Sequence, residues 1–192
     1  DILTTVPSAT NHISGTTLIS TYSFEDAVHD QHEIVSYRNK FLITNIYKSR
    51  ASESEISEIK AAIIELDVSG TPSIGRVRTN IRVDDTGVDS SFSKKVVLKN
   101  FNEEVSIFWL DNRYQSAFKI FGKKFDILTE QFINSVDSRF DMELNRNYIE
   151  TFDCFINEKF ITLFYIHNKV PKFIRYDRVA LDRHDNFYQP AQ

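Results

Sequence analysis

The chain has 192 residues with 41% hydrophobic and 13% aromatic side chains, which suits one packed globular domain and excludes a disordered tail. Its net charge of −4 excludes a uniformly basic surface of the kind that holds nucleic acid. Glycine is scarce, with five residues, and neither a G-x-G-x-x-G motif nor a P-loop is present, so the common nucleotide-binding loops are excluded.

The first 22 residues are rich in Ser and Thr and predict an extended arm rather than a folded unit. The few apolar side chains of this arm could fill pockets on the body or on a partner, so Ile2, Leu3 and Val6 are candidate partner-binding residues. Because the chain begins at Asp1 without Met, we expect a domain or processed piece of a larger protein or assembly. Residues 23–192 are predicted to form a single α+β domain.

A short helix and a hairpin are predicted next. Ser23 and Asp26 have the spacing of a capping box, which predicts a helix that ends near His32. Apolar and polar residues then alternate on both sides of the polar stretch 38–40, which predicts a hairpin or one long strand. The alternating apolar residues are Val35, Tyr37, Phe41 and Ile43.

The segment 53–67 predicts the first principal helix. Ser52 and Glu55 have the spacing of a capping box, and Gly70 with Pro72 would end the helix. Four apolar residues fall on one face at helical spacing, and on this helix we expect Ile59 and Ile63 to be buried against the sheet. The four are Ile56, Ile59, Ile63 and Leu66.

Strands are predicted on both sides of a second helix. The candidates before it are 77–83, 95–98, the mostly apolar and therefore central 105–110, and 118–128 with a turn or bulge at 122–124. The helix is predicted at about 130–150 because apolar residues recur there every four positions. Strands at 160–167 and 172–181 follow it.

These elements predict the α+β class. The strand connections are short, so the sheet should be mainly antiparallel, with two principal amphipathic helices at about 53–67 and 130–150.

The segment 82–88, Arg-Val-Asp-Asp-Thr-Gly-Val, resembles the catalytic turn of retroviral-type aspartic proteases, and 120–122, Ile-Phe-Gly, resembles a later element of that family. The resemblance implies an enzyme in which Asp85 from each of two subunits shares a proton. Asp84 stands where that family has an apolar residue, and Asp-x-Gly is also common in turns. We therefore predict Asp85 in a turn and no catalytic residue, with a protease as the alternative function.

His29 and His32 are three residues apart, a spacing that would bring two imidazoles to one face of a helix. No third ligand is marked in the sequence, so we expect no metal site and no cofactor.

The C-terminal stretch interleaves basic and aromatic residues, a pattern that can grip phosphates and stack on bases. In a strand, Lys172, Ile174, Tyr176 and Arg178 would share one face and Phe173, Arg175 and Asp177 the other. Its candidate partner-binding residues are Lys172, Arg175, Tyr176 and Arg178.

The sequence favours a non-enzymatic protein-binding or scaffolding module whose partner is another protein or copies of itself. A nucleic-acid-binding module that uses the C-terminal basic strand is the second alternative, after the protease. Cys154 is the single cysteine, and no apolar run approaches the roughly 20 residues of a membrane span. We therefore expect an intracellular protein, cytoplasmic or nuclear, with no membrane contact.

Overall fold

A computed structural model describes residues 32–48, 57–69, 73–84, 93–112, 118–133, 138–139 and 149–178. Within these ranges the chain forms twelve β-strands and no helix. The strands are β1 His32–Tyr37, β2 Lys40–Lys48, β3 Ser57–Asp67, β4 Ser73–Arg82, β5 Ser93–Phe101, β6 Glu104–Asp111, β7 Lys119–Asp126, β8 Gln131–Phe132, β9 Ser138–Arg139, β10 Ile149–Ile156, β11 Phe160–His167 and β12 Val170–Asp177.

The strands form three sheets, each from one continuous stretch of chain. The first sheet has the order β1-β2-β3-β4, the second β5-β6-β7-β8 with β9 also paired to β7, and the third β10-β11-β12. All of these pairs are antiparallel, as short connections require. The turn between β11 and β12 is one such short connection. Asn168 and Lys169 both have positive φ, 50° and 63°, the conformation of a type I′ hairpin turn.

The second sheet lies between the other two and is buried on both faces. Along β6, Val105, Ile107 and Trp109 pack into a core shared with the first sheet. The alternate residues Phe108 and Leu110 pack into a second core shared with the third sheet. This double burial explains why the β6 sequence is an almost continuous apolar run rather than an alternating one.

The predicted helix at 53–67 is wrong, because this segment contains β3, which pairs with β2 and β4. Residues four apart share a face in a strand as well as in a helix, so the spacing of Ile59 and Ile63 fits both periods. Both isoleucines are buried in the core between the first and second sheets. The β-branched side chains favour the strand, and pairing on both edges decides for it.

The predicted helix at about 130–150 is also wrong, because the described residues of this segment form turns and strands and no helix. Glu130 ends a turn, Gln131–Phe132 and Ser138–Arg139 are the short strands β8 and β9, and Ile149 begins β10. Residues 134–137 and 140–148 lie outside the described residues. The α+β class is therefore corrected to an all-β arrangement of three antiparallel sheets in the described part of the chain.

Two of the strand predictions are confirmed by the structure. The hairpin at 35–43 is confirmed as β1 and β2, and 105–110 is confirmed as an inner strand. The turn or bulge at 122–124 is wrong, because β7 runs through Gly122 in unbroken register with β6. The arm at 1–22 and the short helix before His32 lie outside the described residues, and the single domain stays a prediction.

We predict that Ile63→Ala lowers the free energy of unfolding by about 2–5 kcal/mol, because a buried side chain is replaced by a cavity. Ile63 is 1% exposed, whereas Ile34 is 50% exposed on β1. The matched control Ile34→Ala should therefore change stability by less than about 0.5 kcal/mol. Equal losses for the two variants in urea unfolding would contradict the packing of the first sheet on the second.

Candidate functional site

The third sheet presents two chemically different faces. Its inner face packs against the second sheet, with Phe152, Leu163 and Tyr176 all nearly inaccessible. Because neighbouring residues of a strand point to opposite faces, the other residues of the same strands form the outer face. The outer face displays Phe155, Phe164 and Phe173, one from each strand.

The outer face is apolar and largely exposed. Phe164 and Phe173 are directly opposite in register, with ring centroids 6.3 Å apart. Phe155, Phe164 and Phe173 are 58%, 50% and 65% exposed. Thr162, in register between Phe155 and Arg175, is nevertheless buried. The large side chains around it therefore form a continuous surface, and contiguous apolar surfaces of this kind mark interaction sites.

Charged groups surround the aromatic rings. The guanidinium of Arg175 lies 5.3 Å from the ring centroid of Phe160. At the opposite edge, Lys99 Nζ lies 3.4 Å from Asp153 Oδ1. The outer face thus combines an apolar centre with a rim of both charge signs, the usual composition of a protein-binding surface.

A shallow groove of about 260 Å³ lies between the third sheet and β5. Its lining comes from all three strands of this sheet and from β5, and includes Phe164, Lys172 and Lys95. Lys95 Nζ donates a hydrogen bond of 2.8 Å to Thr151 Oγ1, which fixes this lysine against β10. The groove forms a depression beside the aromatic rings, into which a side chain of a partner could fit.

The predicted partner-binding residues of the C-terminal strand separate into different roles. Arg175 lies exposed on the outer face, and Lys172 is half-buried beside the groove. Tyr176 is 1% exposed in the core, so its ring does not reach a partner in this structure. Ile2, Leu3 and Val6 lie outside the described residues.

Arg178 joins two sheets. Its guanidinium lies 4.5 Å from the ring centroid of Phe101, and Nη1 donates a 3.0 Å hydrogen bond to Glu104 Oε1. Lys124 Nζ is 3.3 Å from the same carboxylate oxygen and donates a hydrogen bond to the backbone oxygen of Arg178. These contacts bind the end of β12 to the β5–β6 hairpin, which is an architectural role.

The phenylalanines of the outer face were not among the residues predicted from sequence. The alternation in 160–167 and 172–181 separates Phe164 and Phe173 from Leu163 and Ile174. Both sets are apolar, so the sequence does not say which faces the second sheet. The positive charge of the C-terminal stretch predicted Arg178 as a partner-binding residue, but in the structure Arg178 pairs with Glu104 of the same chain.

The other predicted sites lie partly outside the described residues. Asp85 and His29 are among those not described, and His32 is exposed at the start of β1. Asp84 is buried and accepts a 3.3 Å hydrogen bond from the backbone N–H of Ile59, so it ties β3 to the segment after β4. Among the described residues, no group of three or more His, Cys, Asp or Glu side chains could hold a metal ion.

A cluster of ion pairs joins the first and second sheets at Glu130. Lys40 Nζ donates a 2.8 Å hydrogen bond to Glu130 Oε1, and Arg76 Nη2 donates to the same oxygen. Arg78 Nη1 donates a 3.1 Å hydrogen bond to the backbone oxygen of Glu130. Burial alone would raise the pKa of Glu130, but the hydrogen bonds from Lys40 and Arg76 hold this pKa below its ordinary value.

Cys154 lies on the inner face of the third sheet, in the core shared with the second sheet. Burial raises the pKa of its thiol to about 12. A thiol with this pKa is almost entirely protonated at neutral pH and is not a nucleophile.

We predict that Glu130→Gln lowers stability at pH 7 by about 1–2 kcal/mol, because the partly buried Lys40 and the more exposed Arg76 lose a charged acceptor. A carboxylate with a lowered pKa in the folded state stabilises the fold above about pH 4.3 and loses that contribution as the pH falls further. The wild type should therefore lose more stability than the variant as the pH falls below about 4.3, the ordinary pKa of Glu.

The control for this experiment is Glu103→Gln, which removes an exposed carboxylate from the β5–β6 turn. It should change stability by less than about 0.5 kcal/mol at pH 7. Denaturant melts across the pH range measure both variants. Parallel pH profiles for the wild type and Glu130→Gln would contradict the electrostatic role of Glu130.

We predict that the native protein does not react with Ellman's reagent at pH 8, because Cys154 is buried. The denatured chain should release one equivalent of thionitrobenzoate, since it has a single cysteine. As a control, the double variant Cys154→Ala/Ser69→Cys moves the thiol to an exposed turn residue and should react at once in the native state. Rapid reaction of the native wild type would show that Cys154 is not sealed in the core.

No helix in the described residues is long and apolar enough to cross a bilayer. No protein-family model matches the sequence. A search of curated proteins also finds no significantly similar sequence.

Proposed function

We propose that the protein is a non-enzymatic protein-binding or scaffolding module that receives another protein on the outer face of its third sheet. The observation that carries the proposal is the display of Phe155, Phe164 and Phe173 at 50–65% exposure on one face of a sheet. Aromatic side chains dominate the energy of protein interfaces because they bury a large area at a small cost in conformational entropy.

The support behind the outer face favours binding without rearrangement. The inner residues of the same strands are locked in the core with the second sheet, and Arg178 ties the end of β12 to Glu104. The three phenylalanines are therefore held by a fixed backbone before a partner arrives. A surface that is already ordered loses less entropy on binding than a flexible one.

The charges of the outer face fit a protein partner better than nucleic acid. Asp153 lies on this face, and Lys99 is paired with it. Arg178 is paired with Glu104 and does not extend to the surface as a free phosphate ligand. A nucleic-acid surface would need several cations that are available to phosphates. An intracellular location, cytoplasmic or nuclear, is part of the proposal, because a single cysteine cannot form an internal disulfide.

The test is site-specific photocrosslinking in cells that produce the protein. A p-benzoylphenylalanine replaces Phe173 on the outer face or, as a control, Ile34, which is 50% exposed on the first sheet. We expect a discrete adduct from position 173, no such adduct from position 34, and loss of the adduct when Phe164→Glu is added. Indistinguishable adducts from both positions, or none from 173, would refute the proposed binding face.

A further inference from the structure

The strand β5 of the second sheet approaches both neighbouring sheets closely. Its close backbone approaches to the first sheet involve β1, β2 and β3, and its approach to the third sheet involves β10. Asn100 Nδ2 of β5 donates a 3.1 Å hydrogen bond to the backbone oxygen of Ser36 on β1. The three sheets are therefore stacked as successive layers, with the second sheet in the middle.

In such a stack each sheet face is covered by a neighbouring sheet, and the two ends of the stack differ here. On the outer face of the first sheet, Ile43, Ala62 and Ile64 are 2%, 0% and 6% exposed, and Ile34, opposite Ile43 on β1, is the exposed large apolar residue of that face. On the outer face of the third sheet, Phe164 and Phe173 remain at least half exposed. Among the described residues, the third sheet thus presents the sheet face with large exposed aromatic side chains.

We propose that a second copy of this chain covers the outer face of the third sheet by stacking its own third sheet on it. This inference rests on the proposed function and names the partner. A second copy is favoured because the described chain offers one exposed aromatic sheet face, and a two-fold axis brings two identical faces together. The occupant is a β-sheet because face-to-face stacking already covers both faces of the second sheet.

The chemistry of the outer face is compatible with self-association. Its centre is aromatic, so a two-fold axis near Phe164 and Phe173 places rings against rings. Its rim carries Arg175 on β12 and, at the opposite edge on β10, Asp153, which is paired with Lys99 of β5. A two-fold arrangement can therefore place unlike charges opposite each other, which favours one orientation of the two copies.

The area of the outer face predicts a weak dimer. Three strands of eight residues span roughly 14 Å by 26 Å, or about 370 Å² for each partner. Stable interfaces bury about 800 Å² for each partner. We therefore expect a reversible monomer–dimer equilibrium that depends on concentration.

The test is sedimentation velocity over a wide range of protein concentration. The wild type should shift from monomer to dimer as the concentration rises. Phe164→Glu and Phe173→Glu should each weaken the dimer by about tenfold or more, the loss expected when a central aromatic contact becomes a charge. The control Ile34→Glu replaces an equally exposed apolar residue on the first sheet and should dimerise like the wild type.

Thermal melts accompany each variant, and unchanged melting of the two phenylalanine variants shows that a lost dimer does not reflect a lost fold. A wild type that stays monomeric at every concentration would overturn the inference, as would a dimer that survives both substitutions. If the protein is monomeric but position 173 crosslinks a different protein, the inference fails and the proposed function stands. If position 173 gives no adduct and no dimer forms, both fail.

Discussion

Burial of the second sheet on both faces is the constraint on which the rest of the described structure depends. An apolar strand such as β6 loses its contact with water only if one layer lies above it and another below. The first sheet supplies one layer and the third sheet the other. Trp109 and Phe108, two of the largest fully buried side chains, follow each other in β6 and point to opposite layers. Removing either outer layer would expose a core, so the three sheets depend on one another.

Apolar contact holds the layers together but does not fix how they are aligned, because the hydrophobic effect has no direction. Alignment comes from polar contacts at the margins. Glu130 holds the turn after β7 against cations of the first sheet, and Glu104 holds Arg178 beside the third. These carboxylates lie where water is partly excluded, so their hydrogen bonds are stronger than those of exposed pairs. Directional contacts at the rim thus complement undirected burial at the centre.

Alternation of apolar and polar residues predicts locally paired strands correctly. The spacing of apolar residues alone is a poorer guide, because it does not distinguish a strand from a helix. Alternation around Asn39 and the length of 160–167 both match the structure, because a hairpin is determined by a short stretch of chain. The helix prediction for the segment that contains Ile59 and Ile63 failed because residues four apart share a face in a strand as well as in a helix. This segment is a strand because it pairs with β2 and β4. Such pairing is a tertiary contact, and the intrinsic preference of the residues for helix or strand does not predict it.

The candidate site shows the same limit on prediction. Basic residues in the C-terminal stretch are visible in the sequence, but the fold turns Arg178 inward to Glu104 while Arg175 stays outside. The exposure of Phe164 and Phe173 is likewise decided by which face meets the second sheet. Sequence alone could establish that two apolar faces exist on the third sheet, and the layer order determines which one is free.

The alternation of residues along β12 shows how the proposed binding face can lie on a sheet that also forms part of the core. Ile174 and Tyr176 on its inner face join the core, while Phe173 and Arg175 on its outer face remain accessible. Because adjacent residues alternate between faces, the strand can serve both purposes without an added loop. The inner residues fix the backbone, and the fixed backbone sets the spacing of the outer rings. A change to the outer face should therefore affect the proposed binding more than folding, whereas a change to the inner face should affect both, since the display of the outer residues depends on the core beneath them.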